Sequence, residues 1–100
     1  MGSLWYPDMT KEEQQKWLNS QVKSPKSCSF YTPTHQAFLE IDTVYVYCDR
    51  DAIFPMELQK AMVDEVKATG AQFREGHLAA GHWPSLSMPE ALTTKLLEYV

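Results

Sequence analysis

The strongest structural signal in the chain is a run of β-branched and aromatic residues, Thr43-Val44-Tyr45-Val46-Tyr47-Cys48. Residues of these types favour strands, and a strand that is apolar on both faces is typical of the interior of a parallel sheet. Three charged residues, 49–51, follow it directly. The sequence therefore predicts a buried strand over residues 43–48 with polar groups at its carboxyl end.

An amphipathic helix is predicted soon after this strand. Pro55 suits the first turn of a helix, because a missing N–H group costs nothing there. Apolar residues then recur every four positions: Leu58, Met62 and Val66. This spacing predicts a helix over residues 55–69 that turns an apolar stripe towards the core. Gly70 is well placed to end the helix in a left-handed conformation.

A second strand, a loop and a last helix complete the prediction. Residues 71–75 have the composition of a short strand, and residues 76–83 that of a loop. Ser87 and Glu90 fit a capping box, in which each side chain bonds a free amide at the helix start, with Pro89 in the first turn. The helix is expected to bury four apolar residues: Leu92, Leu96, Leu97 and Val100.

The order strand, helix, strand, helix predicts an α/β fold. A helical crossover joins parallel strands, so the strands at 43–48 and 71–75 should pair in parallel. Two strands leave two unpaired edges, however, and the first strand is too apolar to lie half in water. We therefore expect this segment to be the end of a larger sheet, and the chain alone to be marginally stable, aggregating or oligomeric.

The first forty residues carry weaker signals. Thr10 and Glu13 fit a capping box, so a helix is predicted over residues 11–21. Residues 20–34 are rich in Ser, Pro and Lys and are typical of a connector, and a short helical turn is predicted at 34–39.

Composition and charge exclude several classes of partner. The chain has 100 residues, a formal net charge of −4 and only nine Lys and Arg, which argues against binding to nucleic acids or anionic membranes. No apolar run approaches the roughly 20 residues that span a bilayer, and no secretory signal is evident. The two cysteines favour a reducing compartment, so a cytoplasmic location is expected. No residues have metal-ligand spacing, and no metal or other cofactor is expected.

Two residues are candidates for catalysis. Asp51 follows the first predicted strand, and His82 follows the second, within Gly81-His82-Trp83-Pro84. The carboxyl ends of neighbouring parallel strands open into one crevice, so these side chains should lie within reach of each other. A carboxylate on one imidazole nitrogen fixes the tautomer and leaves the other nitrogen free to take a proton from a nucleophile.

Simpler roles stay open for both residues. An aspartate after a strand is commonly a turn residue or a helix cap, and a loop histidine is commonly solvated or structural. Asp49 is a rival acid, since it lies nearer the end of the apolar run.

The motifs around these residues resemble those of the α/β-hydrolases, in the branch of small esterases, plant methylesterases and hydroxynitrile lyases. In that branch an apolar strand is followed by an Asp and, four residues later, a Pro, which match Asp51 and Pro55 here. Gln59 on the next helix matches as well, and so do the Gly-His-x-Pro and Pro-Glu motifs within residues 81–90.

This resemblance implies a fold, an activity and two site residues. Residues 41–100 would be the last two parallel strands of the α/β-hydrolase fold with their helices, and residues 1–40 the end of its cap region and a linker. Asp51 would be the acid and His82 the histidine of a Ser-His-Asp mechanism acting on a small carboxylic ester or acyl substrate. A hydroxynitrile lyase would use the same pair for proton transfer.

The nucleophile of that family has no counterpart in this sequence. The family's serine lies on a sharp turn with the pattern Gly-x-Ser-x-Gly. The four glycines here, at positions 2, 70, 76 and 81, form neither that motif nor a glycine-rich oxyanion loop. We therefore expect the chain to be inactive alone and to need a missing N-terminal half. The alternatives are a non-catalytic interaction module and a truncated remnant.

Overall fold

The computed structural model describes all 100 residues and contains five α-helices and two strands. In chain order these are α1 (Gly2–Trp5), α2 (Lys11–Asn19), β1 (Thr43–Cys48), α3 (Met56–Lys67), β2 (Phe73–Leu78), α4 (Pro84–Ser87) and α5 (Pro89–Leu97). Two short 3₁₀ helices, Lys26–Phe30 and Ala37–Leu39, lie between α2 and β1. No helix has the length and apolar character needed to cross a membrane.

β1 and β2 form a two-stranded parallel sheet, and β1 has the bounds that the sequence predicts. The register pairs Thr43 with Phe73 at one end and Cys48 with Leu78 at the other. Backbone hydrogen bonds continue the pairing beyond the strands, since Arg50 N–H donates to Ala80 C=O at 2.9 Å. The ends of the two strands are thereby held side by side.

The predicted bounds of the second strand were wrong. The strand spans Phe73–Leu78 rather than 71–75, and residues 76–78 are not part of a loop. Pairing with β1 carries the strand through Gly76, although glycine alone is a poor strand former. The hydroxyl of Tyr99 occupies the space that a side chain at position 76 would need. A larger residue at position 76 would therefore displace Tyr99, which lies near the far end of the chain.

Helix α3 crosses between the strands, one or two residues shorter than predicted at each end. Gly70 follows it with φ of 99°, as predicted, which is a conformation that glycine adopts without strain. The buried residues of α3 are Gln59 and Val63. Of the predicted apolar stripe, Leu58 and Met62 are 44% and 41% exposed, so that face lies largely uncovered.

The amino-terminal part of the chain contains the capped helix α2 and a long exposed connector. The capping box of α2 is confirmed: Thr10 N–H donates to Glu13 Oε2 at 3.0 Å, and Glu13 N–H donates to Thr10 Oγ1 at 3.2 Å. The helix ends at Asn19, earlier than predicted. Every residue from 19 to 37 is exposed, in agreement with the predicted connector.

The prediction for the last helix was partly wrong. Pro89 lies in the first turn of α5 as predicted, but Ser87 ends α4 and its Oγ donates to Trp83 C=O at 3.3 Å instead of capping. Leu96 and Leu97 are 52% and 64% exposed on a face of α5 that the chain leaves uncovered, and Val100, which is 98% exposed, lies beyond the end of the helix. Nine of the 100 residues are buried, so the core is small and large apolar side chains are left at the surface.

Candidate active site

The ends of the two strands bring Asp51 and His82 into contact. Asp51 Oδ2 lies 2.9 Å from His82 Nδ1. The Asp51 side chain is 7% exposed and that of His82 is 21% exposed. Since a carboxylate only accepts, the neutral imidazole carries its proton on Nδ1 in this arrangement, and Nε2 is an acceptor. No group of the chain hydrogen-bonds Nε2.

Asp51 also closes the turn between β1 and α3. Its Oδ1 accepts hydrogen bonds from Ile53 N–H at 2.8 Å and Phe54 N–H at 2.9 Å. The turn role that the sequence left open and the contact with His82 are therefore both present, each using one carboxylate oxygen. The two amide donors fix the carboxylate plane and so fix the direction of Oδ2.

Gln59 connects this turn to the end of β1 through side-chain hydrogen bonds. It is 2% exposed, and its Oε1 accepts from Cys48 N–H at 3.0 Å. Its Nε2 donates to Cys48 C=O at 2.9 Å and to Phe54 C=O at 2.6 Å. A buried amide that satisfies three backbone groups makes the turn rigid, because leaving any of them unpaired would be costly.

Three aromatic rings surround the His82 imidazole. Phe54 stacks on it with centroids 5.9 Å apart and an angle of 10° between the planes. Trp5 and Trp83 meet it edge-on, with centroids at 5.4 Å and 5.5 Å. The rings hold the imidazole in one orientation and shield its contact with Asp51 from water.

Asp8 is a residue of this site that the sequence analysis missed. Its Oδ2 accepts a hydrogen bond at 2.9 Å from the N–H of Gly81, the neighbour of His82. A Cβ at position 81 would lie 2.7 Å from Pro7 Cδ and 2.8 Å from Asp8 Oδ1, so only glycine fits this approach. The contact joins residues 73 positions apart, and no local pattern in the sequence signals it.

An apolar cavity of about 650 Å³ shares Trp5 and Trp83 with the shell of rings around His82, although His82 itself does not line it. Six of its nine lining residues are hydrophobic, and Trp5 and Trp83 belong to both the cavity and the shell around His82. The lining is Trp5, Tyr6, Trp17, Ser20, Gln21, Val22, Ser24, Trp83 and Leu86.

The rival acid, Asp49, belongs to a different pair. Its Oδ1 lies 2.7 Å from His77 Nδ1, with side chains 40% and 53% exposed. His77 stacks on Tyr47 at 4.8 Å, and the Tyr47 hydroxyl donates to Glu75 Oε1 at 2.6 Å. Burial, followed by this hydrogen bond, raises the pKa of Tyr47 to about 12. The same hydrogen bond, followed by that of Lys67, lowers the pKa of Glu75.

The other reactive groups do not complete a catalytic set. Ser85 is exposed, and the Ser87 hydroxyl is engaged by Trp83 C=O. Burial raises the pKa of the Cys48 thiol, which disfavours the nucleophilic thiolate. His35 lies 3.6 Å from Glu40 at the surface, and no three His, Cys, Asp or Glu side chains are grouped to hold a metal ion. What the arrangement can do is hold an oriented base whose neighbouring indoles also line an apolar cavity.

Comparison with known proteins relates most of the chain to part of a larger protein. No protein-family model matches the chain. Over 72 residues, 70% of the chain, the sequence is 40% identical to a protein of Phoma sp. described as "Probable hydrolase R7". The match covers 30% of that protein, so the chain spans less than a third of the length of the relative it matches.

Proposed function

We propose that this chain is the acid–base part of an α/β-hydrolase that cleaves carboxylic esters by a Ser-His-Asp mechanism. The similarity to a probable hydrolase supports hydrolysis as the reaction class. The motif resemblance around Asp51 and His82 supports the finer assignment. The nucleophilic serine and the oxyanion donors come from residues outside these 100.

One observation carries the proposal, namely the way Asp51 is held against His82. The carboxylate is 7% exposed, takes two backbone N–H bonds on Oδ1, and meets the imidazole Nδ1 with Oδ2 at 2.9 Å. A general base needs a fixed orientation and an unprotonated nitrogen directed at its substrate. The contact with Asp51 supplies the fixed orientation and keeps the proton on Nδ1, and Nε2, which has no partner within the chain, is left unprotonated.

In the proposed reaction, His82 Nε2 takes the proton of the serine hydroxyl as the oxygen attacks the ester carbonyl carbon. The imidazolium that forms is stabilised by the Asp51 carboxylate, which stays ionised. His82 then returns the proton to the departing alkoxide, which leaves as the alcohol. Water repeats the sequence on the acyl-serine, with His82 again acting first as base and then as acid, and releases the carboxylic acid.

The fold supports the proposal in a second way. β1 and β2 are parallel and adjacent, and they deliver Asp51 and His82 from their carboxyl ends, where α/β sheets gather their functional groups. The exposed apolar faces of α3 and α5 fit a chain whose sheet continues in another polypeptide segment. Residues 1–40 would then be the end of the cap region.

The experiment is reconstitution of hydrolysis. The chain is combined with a polypeptide carrying the part of the Phoma relative that lies outside the match, and hydrolysis of p-nitrophenyl acetate is followed. We expect hydrolysis that requires both components. His82→Gln should lower kcat/KM by on the order of 10⁴-fold, because the serine then has no base.

The chain offers a matched control in His77→Gln. This variant removes a second histidine that contacts an aspartate. It also controls for the intrinsic reactivity of an exposed imidazole towards activated esters. It should leave kcat/KM within about twofold. Reconstituted hydrolysis that persists in His82→Gln, or that depends equally on both histidines, contradicts the proposed function.

A further inference from the structure

We propose that the cavity beside His82 binds the neutral, aromatic part of the substrate. This inference rests on the proposed function, because it names the class of ester for the same site. The ester would place an aromatic ring, on the scale of a benzyl or phenyl group, among the indoles and its carbonyl group towards His82.

The lining of the cavity selects for a flat apolar group. Trp5, Trp17 and Trp83 are all the tryptophans of the chain, and all three line the same space. Aromatic rings pack against one another edge-on or offset, with an added preference of about 1 kcal/mol per pair beyond area burial. Three indoles around one space therefore favour an aromatic ligand over an aliphatic chain of equal size.

The lining contains no charged residue, which argues against a charged ligand. Its polar groups are few and neutral, and most are already engaged. Ser20 Oγ donates to Lys16 C=O at 3.0 Å, and Gln21 Nε2 donates to the Tyr6 hydroxyl at 3.2 Å. An amine bound here would lose its hydration without gaining a counter-ion. Lys16 is not a lining residue, and its Nζ already lies 4.8 Å from the centre of the Trp17 ring.

The size of the cavity fits a small molecule. Ligand sites typically have volumes of about 300–1,000 Å³ and are mainly apolar with a few polar groups. At about 650 Å³, this cavity lies in the middle of that range. A single ring with its ester group fills only part of it, so a second ring or a short substituent could also be accommodated.

Two of the indoles that contact the base also line the cavity. Trp5 and Trp83 meet the His82 ring edge-on, and both also line the cavity, of which His82 is not a lining residue. The Asp8 hydrogen bond to Gly81 N–H fixes the segment that carries Trp5 against the loop that carries His82. A ring bound against Trp5 or Trp83 therefore lies one indole away from the imidazole.

Binding is measured without any hydrolysis. The chain is titrated with benzyl methyl ether, a non-hydrolysable stand-in for a benzyl ester, and the three indole Nε1–H signals are followed by NMR. We expect all three to shift along one saturable curve. 1,2-Dimethoxyethane, an ether without a ring, should bind at least tenfold more weakly.

Two pairs of variants locate the site. Leu86→Asp places a charge in the lining and should weaken binding at least tenfold, whereas Leu97→Asp, on an exposed face of α5, should have no effect. Val22 is 91% exposed, so Val22→Asp cannot disturb the core, yet it lies at the cavity rim and should weaken binding measurably. Val100→Asp, at a position 98% exposed, is its control.

The outcomes separate this inference from the proposed function. Indole signals that do not respond to benzyl methyl ether, or respond equally to both ethers, overturn the inference whatever the hydrolysis test gives. The same holds if Val22→Asp and Leu86→Asp bind like the parent chain. Saturable binding that survives His82→Gln, together with no reconstituted hydrolysis, supports the cavity assignment and contradicts the proposed function.

Discussion

The Asp51–His82 and Asp49–His77 pairs use the same residue types and lie at the same end of the same two strands. Asp49–His77, here called the outer pair, has a nitrogen–oxygen distance of 2.7 Å. Asp51–His82, the inner pair, has the longer distance of 2.9 Å. The side chains of the outer pair are 53% and 40% exposed, however, whereas those of the inner pair are 21% and 7% exposed. Contact distance alone therefore does not distinguish a candidate catalytic pair from a surface pair.

The difference lies in what surrounds each carboxylate. Asp51 is fixed by two backbone amides, and Gln59 fixes the turn that supplies them. Asp49 has no further side-chain hydrogen bond, and a pair this exposed contributes only about 0–1 kcal/mol because water screens it. Orientation by neighbouring groups, rather than proximity, makes the inner pair suitable for proton transfer.

The largest difference between the pairs is expected from the aspartates. Asp51→Asn should lower kcat/KM of reconstituted hydrolysis by about 10⁴-fold, since an amide can donate to Nδ1 and stabilise the wrong tautomer. Asp49→Asn should leave it within about twofold. The two variants are compared in the same assay, and equal losses would remove the distinction drawn between the pairs.

Loss of the Gln59 amide should be the next largest effect. Gln59→Leu leaves two carbonyls and one N–H without their buried partner, which should lower the free energy of unfolding by about 3 kcal/mol. The exposed Gln72, changed to Leu, is the control and should shift it by less than about 0.5 kcal/mol. Urea denaturation measures both. A small loss in Gln59→Leu would mean that the turn holds Asp51 without this support.

Asp8→Ala tests the link between the amino-terminal segment and the inner pair. The buried N–H of Gly81 loses its acceptor, so we expect a loss of about 2 kcal/mol in the free energy of unfolding. The imidazole signals of His82 should shift in NMR spectra while those of His77 do not. Asp42→Ala removes an exposed carboxylate that makes no hydrogen bond and serves as control. Equal shifts at both histidines would argue against a local role.

The smallest effect is expected from Tyr47, whose ring stacks on His77 of the outer pair. Tyr47→Phe removes its hydrogen bond to Glu75 and should cost about 1 kcal/mol of stability. The pKa of Tyr47 is raised from 10.0 to about 12, so between those values the unfolded chain loses this proton first and stability falls as pH rises. Urea denaturation at pH 9 and at pH 11 should give a smaller difference in Tyr47→Phe than in the parent chain.

Local signals made part of this structure predictable from the sequence. The run at 43–48, the Thr10–Glu13 capping box and Gly70 each depend on neighbours in the chain. The contact of Asp51 with His82 was predictable too, because it follows from two parallel strands and the residues after them.

Contacts between distant residues account for what the sequence analysis missed. The register pairs Tyr47 with His77, and alternation along β1 carries Asp49 to the same face. Because the predicted second strand ended at residue 75, His77 was assigned to a loop and this pair was not predicted. The Asp8 contact to Gly81 and the orientation of α3 depend likewise on tertiary packing, for which periodicity contains no information.

The most direct test observes the imidazole of His82 itself. Long-range ¹H–¹⁵N NMR at alkaline pH, where imidazoles are neutral, reports which nitrogen of His82 is protonated. We predict the Nδ1–H tautomer with an unprotonated Nε2, a preference lost in Asp51→Asn and kept in Asp49→Asn. An Nε2–H tautomer, or a spectrum of His82 that Asp51→Asn leaves unchanged, would contradict it.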